Sequence, residues 1–455
     1  MYLRKQKKYF LVFIVILCII SMVGFSSCRL LNLEEEGVPV VEQPEPEPEE
    51  GLPAPADREP RVRISLWDCL EAKERLALMD SVDEFTNINP EVDIEVRHIR
   101  SEEELLDQFE AASLAGSGPD LAIVDLVSVN RMAESNVIAE INDIDYGRFL
   151  DGLAEISEYE EKNYMVPLRA TDFLAFYYNR AFIETAPRDF ESIVEHCLEV
   201  VDFQEPVFGF VLNNSQPDWI IPFIGGYSTW IIDYNNYSIS LDTSAMEKTL
   251  EFLYMLYDPD EPVTAGGMGY EDMHAMFKSG NIHMIINSFK VREQYQGEGM
   301  NLGISAIPEV YGEGKNPTPL ISGKGIMINA NSFGEELETA NKLIEFLLSV
   351  EQQVKWTQNT DTFPAVIAVE ESSYFQNNEL LSNMLEQAKL CRGIPPDNEI
   401  RVVRDSISLN VPRAIEDRLA VEEVVRKIEE DAIRLRAGSI TVEDLREESI
   451  QQGGE

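Results

Sequence analysis

The stretch from Gly280 to Asn331 constrains this chain more than any other. Ile282 to Ile286, Leu302 to Ile307 and Gly325 to Asn329 are three apolar runs, separated by a short helical piece and a glycine-rich loop. Apolar runs of that length, bounded by turn residues, are strand signals. A segment read as strand, short helix, strand, loop, strand usually carries a chain from one lobe to another. Length agrees: about 430 residues remain after an N-terminal leader, too many for one compact core and suited to two lobes.

The first part of the folded region alternates strand and helix. RVRISLW, with Val62 to Trp67, reads as a strand; apolar residues at 76, 79, 82 and 85 mark one helical face; Asp93 to Val96 is the next strand. Ser101 and Glu104 form a capping box before Leu105, Leu106 and Phe109, and Gly116 to Asp120 ends that helix before the strand Leu121 to Val124. This alternation predicts an α/β fold with a mostly parallel sheet flanked by helices. Ligands of open sheets sit beyond the carboxyl ends of the strands, which makes Trp67, Asp68 and Asp125 candidates. Each has a bland alternative: Trp67 could cap the core, and an Asp after a strand often caps the next helix. Further on, Met246 to Tyr257 and Glu271 to Lys278 are amphipathic helices, the second stopped by Gly280. Ser332 with Glu335 is expected to cap a helix to Leu348, and helices are expected from Leu380, from Val403, and from Val411 to Ala437. Residues 440–455 are polar and are expected to fray.

At the N-terminus, Arg4, Lys5, Lys7 and Lys8 precede an apolar run from Phe10 to Phe25, the charged start and short hydrophobic middle of a secretory signal. Phe25-Ser26-Ser27-Cys28 resembles a bacterial lipobox, with Phe25 in place of the usual aliphatic residue. Cys28 would then be the lipidated first residue; an uncleaved anchor is the alternative, and both put the fold outside the cytoplasm. Residues 28–60, rich in Glu and Pro, read as a solvated tether.

Charge and cysteine count exclude several classes. Removing residues 1–27 takes away four basic groups and no acidic one, so the net charge of -45 becomes about -49. Such a surface repels nucleic acid and anionic lipid, and favours neutral or cationic ligands. Cys69, Cys197 and Cys391 are too widely spaced to imply a disulfide framework or a CxxC metal or redox pair. His98, His196, His274 and His283 form no HExxH or HxH group, and no GxSxG elbow, Walker loop or GxGxxG fingerprint occurs. No cofactor and no metal are expected.

Met284, Ile285, Asn287, Gly303, Pro308, Pro319, Gly323, Gly325 and Ile328 fit the pattern GxxAMxINGPW, YGVxxxP, GxxxPxxGGxGxxI. By this the chain resembles the extracellular solute-binding proteins of bacterial ABC importers, in their maltose and oligosaccharide-binding branch. Phe289 and Lys290 stand where that family often has Pro-Trp. Tyr164 to Asn179 resembles the family's first crossing between lobes and Thr362-Phe363-Pro364-Ala365 its third. Gln216 to Tyr227 resembles a second-lobe segment that supplies aromatics. The resemblance covers nearly all of residues 61–437.

It implies a periplasmic-binding-protein-like fold of two lobes joined by three hinge crossings: residues 61–171 and 308–364 in the first lobe, 172–307 and 365–439 in the second, 440–455 a tail. It further implies a monomeric lipoprotein that captures a small solute, a sugar or oligosaccharide, by hinge closure and delivers it to ABC permease subunits. The expected ligand-binding set is Trp67, Asp68, Asp125, Asp172, Trp219, Trp230, Gly323 and Lys324, with Asp172 as the cleft carboxylate, Trp219 as first stacking residue and Trp230 behind it. A secreted carbohydrate-active enzyme and a ligand-presenting sensory lipoprotein are the competing readings.

Overall fold

A computed structural model describes residues 61–452 apart from 235, 261 and 298. The expected leader, tether and Cys28 anchor lie outside the described residues.

The chain runs β1 (Val62–Asp68), α1 (Ala72–Ile88), β2 (Val92–His98), α2 (Glu102–Leu114), β3 (Leu121–Asp125), then a small hairpin of β4 (Glu158–Tyr159) and β5 (Lys162–Asn163). β6 (Met165–Asp172) and β7 (Leu174–Asn179) follow, then α3 (Phe190–Val200), β8 (Phe208–Val211), α4 (Ser244–Leu256), α5 (Tyr270–Ser279), β9 (Ile282–Ser288), β10 (Leu302–Ser305) and β11 (Leu320–Ile328). The last third holds α6 (Gly334–Leu347), α7 (Val350–Asn359), β12 (Phe363–Pro364), α8 (Glu379–Lys389), β13 (Arg392–Gly393), α9 (Asp397–Asp417), α10 (Val421–Arg436) and α11 (Val442–Gln452). Local chemistry sets several boundaries. Ser101 Oγ accepts from the Glu104 amide at 3.3 Å to start α2, and Asp189 accepts from the Ser192 amide at 2.9 Å to start α3. Gly280, at φ +81°, stops α5 in the left-handed conformation that a glycine adopts freely.

The strands form two main sheets. The first has the order β12-β6-β11-β3-β1-β2, with β13 on β11; the second is β10-β7-β9-β8. β1 is parallel to β2 and β3, whereas β11 is antiparallel to both β3 and β6 because it enters from the second lobe. It follows that β1, β3 and β6 all end at one edge, with Asp68, Asp125 and Asp172 as their last residues. Phe173 alone separates β6 from β7, and Leu174 at the start of β7 pairs with Ser288 at the end of β9. The carboxyl ends of β6 and β9 therefore meet across a one-residue crossing.

β7 is buried on both faces. Its residues alternate between the two faces of the second sheet: Ala175 and Tyr177 point to one side, where the Tyr177 ring meets Tyr295 edge-on at 5.6 Å, while Leu174, Phe176 and Tyr178 point to the other, under α3, α4, α9 and α10. Three aromatic rings pack where the passages converge. Phe173 stacks on Phe289 at 4.8 Å and meets Phe363 edge-on at 5.4 Å. The last passage takes more than one step: α8 packs on β10, and β13 returns to β11 before Ile394 leads into α9.

Three local expectations are corrected. Ser332 does not cap α6, since its hydroxyl donates to Asp120 at 2.9 Å and Phe333 occupies the cap position. The helix expected from Val411 to Ala437 is broken at Arg418, which takes φ +53°, and Pro412 lies inside α9. The tail is helical as α11: Leu445 is buried, and Arg434 pairs with Glu448 at 2.9 Å.

Candidate functional site

At the one-residue crossing, Asp172, Phe173, Leu174, Ser288 and Ser322 border a crevice of about 190 Å³, completed by Asp218, Trp219, Leu320, Ile394 and Arg404. The fold brings these together by direct register: Ser322 pairs with Asp172 across β11 and β6. Ser288 Oγ donates to Asp172 Oδ1 at 2.5 Å. Burial raises the Asp172 pKa, opposed by the Ser288 hydrogen bond and the nearby Lys290 charge. Arg404 reaches from α9 to grip Asp218 with two bonds, Nε to Oδ1 at 2.7 Å and a terminal nitrogen to Oδ2 at 2.8 Å. Trp219 donates its indole N–H to the Ile286 carbonyl at 2.7 Å, which fixes the ring so that it contributes a wall.

Of the eight expected residues, Asp172 and Trp219 meet in this crevice. Asp125 and Lys324 pair with each other at 2.7 Å along the same sheet edge, with Glu102 at 3.6 Å from the ammonium. The two carboxylates hold the Lys324 pKa above its usual range against the cost of burial. Gly323 is buried, and a Cβ there would lie 2.5 Å from the Arg169 carbonyl oxygen and 2.6 Å from Leu153, so its role is close packing. Asp68 is turned inward: it is 0% exposed and accepts from His98 Nδ1 at 2.7 Å and from the Leu70 amide at 3.2 Å. Trp67 is half-buried, edge-on to Phe109 with the Arg97 guanidinium 4.8 Å over its ring. Trp230 lies outside the crevice, under the guanidinium of Arg392 at 5.0 Å.

Sequence reading missed Asp218, Ser288, Ser322 and Arg404. Asp218, Ser288 and Ser322 lie inside segments already singled out, and polar side chains beside a crossing were the available signal. Arg404 had none, because only the packing of α9 carries it to Asp218.

A second, larger cavity of about 750 Å³ shares Ile394 with the crevice. It is lined from one side by Asn130, Glu134, Glu155 and the β4–β5 hairpin, and from the other by Ile232, Tyr234 and Tyr237.

Chemically, the crevice offers an aromatic wall, hydroxyls, one carboxylate with no cation bonded to it, and one carboxylate neutralised by arginine. That mixture suits a neutral ligand rich in hydroxyl groups. Among the described residues no group of three or more His, Cys, Asp or Glu side chains could hold a metal ion. No helix of the described residues is long and apolar enough to cross a membrane.

Comparison with known proteins points the same way. A model of bacterial extracellular solute-binding proteins matches residues 80–383. The maltodextrin-binding protein of Bacillus subtilis is 22% identical over 328 residues, covering 68% of this chain and 76% of that protein. The galactooligosaccharide-binding protein of the same organism is 24% identical over 309 residues, covering 64% and 72%. Among solved structures, the maltose/maltodextrin-binding domain of Bdellovibrio bacteriovorus, bound to maltotriose, superposes with a TM-score of 0.58 at 25% identity, covering 82% of this chain and 99% of that one. An extracellular solute-binding protein of Staphylococcus aureus in complex with maltose gives 0.72 at 18% identity, covering 82% and 97%. The two-lobed α/β fold, the crossing strands and a family match over more than half of the sequence agree: the chain belongs to the bacterial extracellular solute-binding proteins.

Proposed function

We propose that this protein captures a neutral sugar or oligosaccharide outside the membrane, tethered there by a lipid on Cys28, and delivers it to the permease of an ABC importer. The observation that supports this reading most is the crevice at Phe173, where Asp172, Ser322 and Ser288 from the two sheets meet Asp218 and Trp219 from the turn after β8. A ligand there touches both lobes at once, so it binds the closed arrangement better than an open one. Flat aromatic walls cover a pyranose face, and carboxylates and hydroxyls take its hydroxyl groups.

The function is binding without turnover. A glycosidase needs one carboxyl as acid and a second as base or nucleophile. Asp218, gripped by Arg404, is committed to an ion pair and poorly placed to exchange a proton.

Calorimetry with maltotriose and a panel of galacto-oligosaccharides, followed by chromatography of the recovered sugar, tests the proposal. Wild type should bind a member of the panel and return it intact. A hydrogen bond to a charged group contributes about 1.5 to 3 kcal/mol, so Asp172→Asn should weaken binding by roughly one to two orders of magnitude. Cleaved sugar would overturn the binding role. Unchanged affinity with lowered stability would reduce Asp172 to a support of the hinge backbone.

A further inference from the structure

The segment around Trp230, Tyr234 and Tyr237 belongs to the second lobe by its anchorage. Ile231, Ile232 and Leu241 are buried in that lobe's core. Glu429 of α10 accepts from the Leu241 and Asp242 amides at 2.7 Å each, and Arg436 of α10 donates to the Tyr237 carbonyl. Tyr237 takes φ +55°, a conformation that costs a tyrosine energy and persists only when neighbours hold it.

The tip of this segment nevertheless reaches the first lobe at three points. The Arg392 guanidinium, on β13 beside the crossing strand β11, lies 5.0 Å over the Trp230 ring and 5.1 Å over the Tyr234 ring. Tyr234 donates its hydroxyl to the Gly393 carbonyl while accepting from Trp230 Nε1 at 3.1 Å. Asn130, in the short helix after β3, donates from Nδ2 to the Tyr237 hydroxyl at 2.6 Å. Glu155 of the first lobe fixes the arginine in turn. Its carboxylate takes Arg392 Nε at 3.0 Å and a second guanidinium nitrogen, and it accepts from the Gly393 amide at 3.1 Å. A planar guanidinium held edge-on by a carboxylate and covered by two aromatic faces is a geometry that lysine cannot reproduce.

We infer that Arg392 and the aromatic segment form a clasp between the lobes, set apart from the Asp172 crevice, whose strength sets the balance of lobe arrangements and through it the affinity for ligand. The affinity half of this statement rests on the binding function proposed above; the clasp itself does not. Only interactions that differ between two lobe arrangements can shift their populations. These contacts qualify, because each joins a residue anchored in one lobe to a residue anchored in the other. Arg392 lines the larger cavity and not the Asp172 crevice, and it is thus a positioning residue: it acts on the lobes' relative placement.

Arg392→Gln, Tyr234→Phe and the double variant test it. Solution scattering of each ligand-free protein should show a radius of gyration displaced from wild type, with the double variant falling short of the sum of the singles. Calorimetry with the best-bound oligosaccharide of the panel should show the dissociation constant moved by about 5- to 30-fold, in the sense that the displacement dictates: compaction tightens binding, expansion weakens it. A radius of gyration unchanged in all three variants overturns the clasp, as does a constant that moves against the displacement or stays fixed. A role confined to one lobe would lower the melting temperature and move neither. If no sugar of the panel binds wild type, the sugar-binding proposal fails while scattering alone still decides the clasp.

Discussion

Four aspartates lie at or beside the carboxyl edge of the first sheet, and their partners separate them. Asp68 is spent on His98, Asp125 on Lys324 and Asp218 on Arg404, while Asp172 bonds to the Ser288 hydroxyl. A group held this way keeps acceptor capacity for a ligand, which is why Asp172 is the residue to substitute first. Another pair of side chains carries a pH signature. His283 Nδ1 lies 3.0 Å from His196 Nε2, with Phe182 stacked on the His283 ring at 4.0 Å. Burial, and secondarily the second imidazole, lowers the His283 pKa to about 4; His196 is also lowered by burial, with Glu199 opposing. A histidine whose folded pKa is depressed contributes stability above its unfolded value, near 6.5, and loses it as pH falls toward 4. His283→Gln should therefore flatten the fall in melting temperature between pH 7 and pH 4.5. Melting curves that stay parallel to wild type across that range would assign the acid sensitivity elsewhere.

Among the elements, the β4–β5 hairpin carries a visible cost. Its turn residues Glu160 and Glu161 take φ +50° and +61°, the double left-handed pattern that Asn-Gly satisfies with little strain. Replacing Glu160-Glu161 by Asn-Gly should raise unfolding stability by about 1 to 2 kcal/mol, measured by urea titration. Loss of stability would mean that the two glutamates make compensating contacts. The C-terminal α11 shows the opposite case, an element whose polar sequence hides a buried residue, Leu445, and an ion pair to α10.

For the whole molecule, closure about the crossings near residues 172–176, 304–308 and 364–368 should compact the protein. The radius of gyration should fall when a bound oligosaccharide is added; binding without compaction would exclude hinge closure as the capture mechanism. The N-terminal segment makes a separate prediction. Two acyl chains on one cysteine suffice for stable membrane attachment, so Cys28→Ser should release the protein into the soluble fraction. A variant that stays in the membrane fraction would favour an uncleaved anchor.

What the sequence by itself determined is local and periodic. The strand and helix alternation, the Ser101 cap, the Gly280 stop and the apolar runs of the return passage each depend on neighbours within a few residues and imply an α/β fold, while the two-lobed family was implied by the motif resemblance carried by residues such as Asn287, Gly303, Pro308 and Gly325. Asp172 and Trp219 were also within reach, since both lie in segments with a recognisable pattern. Which polar groups remain available to a ligand was decided only by tertiary structure. Asp68 meets His98 thirty positions away, Asp218 meets Arg404 across 186, and Lys324 meets Asp125 across 199. Trp230, expected from sequence as a stacking residue behind Trp219, lies under an arginine brought to it by β13. A side chain's periodicity is set by its own strand or helix, whereas its partner is set by how distant elements pack, and no local pattern encodes that choice.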